Sequence, residues 1–153
     1  MKRFLAVLSC IACLAWPLSA LAEETTGGED LLYNGDFSTY VASASLPAGW
    51  SLEAYTIDTA ATHIASDPSL GTIVVLENDG NNDARICQSV TVEPDTCYRL
   101  SAKISTADVT GGAGATLSID NYNLDGTFCY SNNLSGTNEW TEVVMYVKSG
   151  PAQ

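Results

Sequence analysis

The run "RICQSVTVEPDTCYRLSAKIST", residues 85–106, constrains the fold of this chain more than any other stretch. Ile86, Gln88, Val90 and Val92 alternate with Cys87, Ser89 and Thr91. Beyond the turn residues Glu93-Pro94-Asp95-Thr96, Tyr98, Leu100, Ala102 and Ile104 alternate with Arg99, Ser101 and Lys103. A period of two gives one face to a core and the other to solvent, the geometry of an extended strand. Further strand signals follow in "GTIVVLE" (71–77), "ATLSID" (115–120), "GTFCYS" (126–131) and "WTEVVMYVK" (140–148). Between them stand turn formers: "ENDGNND", "EPDT", "TGGAG", "NLDG" and "LSGTN". No window past residue 22 has a helical period. The expected class is all-β, and short strands at this spacing point to a sandwich or jelly roll.

The N-terminus belongs to a different argument. Lys2 and Arg3 precede an apolar run from Phe4 to about Leu18, and Ala20-Leu21-Ala22 supplies small residues at the −3 and −1 positions. That is the pattern of a secretory signal peptide cleaved after Ala22, and the run is short for a membrane span. Cys10 and Cys13 lack the small-residue context of a lipoprotein site, and cleavage there would cut the apolar run itself. Residues 1–22 are therefore expected to be removed, 23–30 ("EETTGGED") to form a flexible leader, and 31–153 to fold as one exported, monomeric module.

Charge narrows the partners. All 18 acidic residues lie beyond Ala22, so loss of Lys2 and Arg3 shifts the formal charge from −12 to −14. Such a surface repels nucleic acid and anionic lipid and suits a neutral ligand or a cation. Three cysteines follow the expected cleavage site, Cys87, Cys97 and Cys129, which leaves one disulfide with a spare thiol, or none. Were Cys87 and Cys97 on one hairpin, strand rise would hold them beyond bonding reach. No Cys/His spacing points to zinc.

The order of elements carries a resemblance. "LLYNGDF", "PAGW", "ICQSVTVEPDTCYRLSAKIS", "GATLSID" and "EWTEVVMYV" follow one another as in carbohydrate-binding modules of the CenC type (families 4, 9 and 22). The "ENDGNNDAR" version is also similar to N-terminal extracytoplasmic modules of bacterial membrane glycosyltransferase-like proteins. The resemblance spans about residues 30–148 and implies a galactose-binding-like, jelly-roll β-sandwich that binds polysaccharide or cell-surface glycan without catalysis. Two departures stand out. Ser38 replaces the acid that usually follows the phenylalanine of the first motif. The family's last strand, with its Asp-Asp step, is not among these 153 residues, so the resemblance implies a fragment or a sandwich lacking that strand.

Sugar recognition needs flat aromatic faces and planar polar groups. Tyr122 and Tyr130 flank the loop "NYNLDGTFCY" with Asn121 and Asn123 beside them, and loops carry binding more readily than core strands. Trp140 and Trp50 are further platforms whose alternative is packing in the core. Tyr98, on the face of Leu100 and Ile104, is expected in the core. No cofactor is required, but the resemblance implies a structural calcium whose early-loop ligand is Asp36. The "ENDGNND" run has no EF-hand spacing. His63 is the single histidine, and no G-x-S-x-G, H-E-x-x-H or phosphate loop occurs, so an enzyme is not expected. The competing reading is a structural or protein-interaction domain whose aromatics are spent inside.

Overall fold

The computed structural model describes residues 6–10, 14–16, 28, 30–120 and 128–151. Ten strands appear: β1 (Ala6–Cys10), β2 (Leu14–Trp16), β3 (Ser51–Ala54), β4 (Ala60–Asp67), β5 (Gly71–Asn78), β6 (Ala84–Cys87), β7 (Cys97–Val109), β8 (Ser118–Asp120), β9 (Phe128–Tyr130) and β10 (Gly136–Lys148). Among the described residues the helical content is one 3-10 turn, Ile57–Thr59, so the class is all-β. The largest sheet runs β10-β7-β1-β5-β4, with β2 also on β7; β3–β6 and β8–β9 are separate antiparallel pairs.

The centre of the fold is the β7–β10 ladder. Tyr98, Leu100 and Ala102 lie opposite Val147, Met145 and Val143. Alternation turns these residues to one side, where Ala102, Ile104, Leu117, Val143 and Met145 form a buried cluster. Leu32, Trp50, Leu100, Ile119 and Leu134 pack against it. Burying each of the larger side chains here is worth about 1.5–3 kcal/mol, so this face anchors the strand pair. Tyr98 is buried as its alternation predicts, and its hydroxyl accepts from the backbone N–H of Glu93 at 2.6 Å.

The stretch before Trp50 is tied by two amide side chains rather than by a ladder. Asn34, at φ +54°, donates through Nδ2 to the carbonyls of Thr39 (2.9 Å) and Ala48 (3.0 Å), and its Oδ1 accepts from Thr39 N–H (2.9 Å). Gln88 accepts from Tyr33 N–H (2.7 Å) and donates to the carbonyls of Tyr33 (2.9 Å) and Gly49 (3.1 Å). Phe37 is fully buried and meets Trp50 edge-on, ring centroids 5.1 Å apart.

Three features stand apart from the pattern. Residues 85–106 do not form a hairpin: β6 stops at Cys87 and pairs with β3, and the next residue, Gln88, binds Tyr33 and Gly49 through its side-chain amide. The turn at 93–96 docks on the end of β10, where Ser149 binds the carbonyls of Glu93 and Thr96. Cys87, Cys97 and Cys129 are all free thiols. Residues 60–67 form a full strand against β5, with His63 exposed on this edge strand. Finally, β1 and β2 fall inside the stretch read as a signal peptide, and β1 is paired between β5 and β7.

Candidate ligand-binding cleft

A cleft of about 1610 Å³ runs beside the β3–β6 and β8–β9 pairs; Trp50, Leu100, Ile104 and Leu117 line its base, where Ile104 and Leu117 also belong to the buried core. Polar groups gather on its walls: Asn78, Asn81, Asn82, Asp83, Arg85 and Asp120. Two of the lining tyrosines, Tyr55 and Tyr130, stand out into solvent, 92% and 60% exposed.

Each of these groups has a structural origin. Tyr55 continues the outward parity of Ser51 and Glu53 in β3, so its ring points away from the core, and its backbone N–H binds the Asp83 carbonyl at 2.8 Å. Tyr130 shares a face of β9 with Phe128, and the two rings stack at 6.1 Å and 10° between planes. That stack fixes the Tyr130 ring against its neighbour at little entropic cost on binding. The acidic turn 77–83 is ordered by Asn82, whose Nδ2 donates to the Thr56 carbonyl (2.8 Å) and Thr59 Oγ1 (3.0 Å) and whose Oδ1 accepts from Thr56 N–H (3.0 Å). Asn81 and Asp83, either side of it, are exposed.

The electrostatics are local. Arg85 Nε binds Glu53 at 3.1 Å, and that hydrogen bond raises the guanidinium pKa further above its ordinary value. Both partners are substantially exposed, so the pair contributes about 0–1 kcal/mol to stability and serves to position the guanidinium. Burial pushes the Cys87 thiol up, opposed by its 3.3 Å contact with the Ser51 hydroxyl.

The residues singled out from sequence are scattered. Tyr130 and Trp50 both line the cleft, one on the rim and one on the floor. The Trp50 ring is held by its Nε1 donating to the Asn34 carbonyl at 3.1 Å and by Phe37. Trp140 lies elsewhere: it packs against Ile73 and Val75, and its Nε1 donates to Asp67 at 3.2 Å. Asn121, Tyr122 and Asn123 lie outside the described residues, although Asp120, the residue before them, lines the cleft. Asp36 Oδ1 accepts from the Ser38 N–H (3.1 Å) and hydroxyl (2.9 Å), and no group of three or more acidic, histidine or cysteine side chains suited to a metal occurs among the described residues. Tyr55 stands in the sequence among the available aromatics and Asp83 among the oxygen donors for a cation, whereas Asn81 and Arg85 carry no such signal. The signal for Tyr55 was its parity with Ser51 and Glu53; nothing local links the other three to a cleft. Set against protein-family models, characterised proteins and solved structures, the chain matches none.

Proposed function

We propose that this chain is a non-catalytic, extracytoplasmic carbohydrate-binding module on a jelly-roll sandwich, an accessory part of a larger cell-envelope or glycan-processing protein. The observation that carries the reading is the pairing of exposed tyrosines with amide and charged groups around one cleft. An aromatic face takes the C–H side of a sugar ring, while Asn81, Asp83 and Arg85 offer donors and acceptors to its hydroxyls. The strongly acidic chain favours a neutral glycan over a phosphorylated or sulfated one. A glycosidase general acid needs apolar surroundings to keep its proton. The cleft acids Glu53, Asp83 and Asp120 are instead exposed, which favours binding over hydrolysis.

Affinity electrophoresis through gels carrying neutral polysaccharides tests this. Retention by at least one of them is expected, with loss of about 1–3 kcal/mol per ring on Tyr55→Ala or Tyr130→Ala, the scale of losing one large aromatic contact. The reading requires no cofactor, so chelation leaves retention unchanged. The second reading, a structural or protein-interaction domain, is favoured by Trp50 and Trp140, whose rings are hydrogen-bonded and packed rather than free. Its signature is no retention on any glycan.

A further inference from the structure

Tyr55, Asn82 and Asp83 share one rim of the cleft, and the register of β3 and β6 explains how. Ser51 lies opposite Cys87 and Ala54 opposite Ala84, so the next two positions bring Tyr55 to Asp83 and Thr56 to Asn82. The ladder runs on for one bond, from Tyr55 N–H to the Asp83 carbonyl at 2.8 Å. At Thr56 the partner is no longer a backbone group. Asn82 Oδ1 accepts from Thr56 N–H (3.0 Å), and its Nδ2 donates to the Thr56 carbonyl (2.8 Å). A carboxamide has an acceptor oxygen and an NH2 donor, so here it takes the part of a peptide group in a strand pair.

The same Nδ2 reaches Thr59 Oγ1 at 3.0 Å and Asn78 Oδ1 at 3.4 Å. Thr59 leads into β4 and Asn78 closes β5, at the end of the ladder where Ala60 lies opposite Asn78. Asp79 N–H adds a bond to the Thr59 carbonyl at 2.8 Å. Asn82 therefore ties the β3–β6 pair to the β4–β5 end of the largest sheet. Its own side chain is half-buried, while Asn81 and Asp83 on either side are exposed.

Tyr55 sits inside this tie. Its ring is almost wholly exposed, so packing does not hold it, and its place on the rim is set by the backbone that follows β3 at Ala54. A platform on a backbone free to open loses affinity, because binding must order that backbone as well as the ring. We propose that Asn82 is the positioning residue of the Tyr55 platform: its carboxamide is committed to Thr56 and Thr59, and it acts on a bound ligand through Tyr55. This role rests on the glycan reading of the cleft, whereas the tie itself does not.

The test measures affinity for a retained neutral oligosaccharide by titration calorimetry, placing Asn82→Ala in three backgrounds: the parent, Tyr55→Ala and Tyr130→Ala. In the parent the expected loss is about threefold to tenfold, the scale of coupling between neighbouring residues. In Tyr55→Ala the further loss is below about twofold, since no platform is left to position. In Tyr130→Ala, on the separate β8–β9 pair, the full loss returns. A general loosening of the fold would instead weaken binding equally in both backgrounds. Hydrogen exchange at the Thr56 amide, read without ligand, is expected to quicken about tenfold or more in Asn82→Ala. Should that variant not fold, the affinities of Asn82→Asp, which keeps the acceptor for Thr56 N–H and loses the donors, are read in the same backgrounds. Unchanged affinity in the parent background, equal losses in the two tyrosine backgrounds, or unchanged Thr56 exchange overturns the positioning role alone. Failure of the parent chain to be retained by any glycan overturns the glycan reading, and the role of Asn82 with it.

Discussion

Asn34 ties the chain entry to Trp50, and replacing it separates backbone strain from hydrogen bonding. Its side chain makes three hydrogen bonds, to Thr39 N–H and to the carbonyls of Thr39 and Ala48, and its φ is +54°. Three neutral bonds at about 0.5–1.5 kcal/mol each give about 1.5–4.5 kcal/mol, with the lower half applying because the site is only partly buried. Alanine in the left-handed region adds about 1 kcal/mol, which glycine does not. Asn34→Ala is therefore expected to cost about 3 kcal/mol and Asn34→Gly about 2 kcal/mol. Asn34→Asp keeps the acceptor for Thr39 N–H but sets a carboxylate oxygen against two carbonyls. Those carbonyls raise the folded-state pKa of the new acid, so its penalty is present above the unfolded value of about 3.9 and fades as pH falls through the raised value. Urea unfolding followed by tryptophan emission is the assay, because Trp50 Nε1 donates to the Asn34 carbonyl. A loss of 3 kcal/mol moves the midpoint by roughly 1–2 M. If Ala and Gly variants both fall within about 0.5 kcal/mol of the parent, this account of the entry segment is wrong.

Two further outcomes follow from the same geometry. Gly49 has φ +84°, and a Cβ there would stand 2.5 Å from the Tyr33 ring, so Gly49→Ala is expected to cost about 1–3 kcal/mol by thermal melting, whereas Gly71→Ala, with open space, carries only the φ penalty. Hydrogen bonds from the Ser69 side chain and backbone, and a further one from Trp140, hold the Asp67 carboxyl below its ordinary value. A depressed acid contributes stability above its unfolded pKa, so that contribution is lost as pH falls from about 4 through the lower folded value. Acid titration of tryptophan emission shows this step in the parent and not in Asp67→Asn.

Much of the fold was legible because alternation survives where strands are long. Residues 97–106 and 140–148 read as strands and became the β7–β10 ladder, with Tyr98, Ala102 and Ile104 inside. What alternation cannot state is which strand pairs with which. "RICQSVTVE" has a strand period to Glu93, but β6 ends at Cys87, and the Gln88 side chain instead satisfies backbone groups 55 and 39 residues away. Residues 60–67, where His63 reads as a surface or edge residue of a strand, find a complete partner in β5. At the site, Tyr130 is nominated by its loop and Tyr55 by its outward parity, whereas Arg85 is not, because only tertiary packing brings it to the cleft.

The central claim is that the cleft, not the outer face of β7 and β10, meets the glycan. Amide chemical-shift mapping with a retained neutral oligosaccharide tests it directly. The account predicts perturbations clustered at residues 53–55, 78–90, 117–120 and 130. Perturbations centred on Arg99, Lys103, Glu142 and Tyr146, or none with any neutral glycan, contradict it.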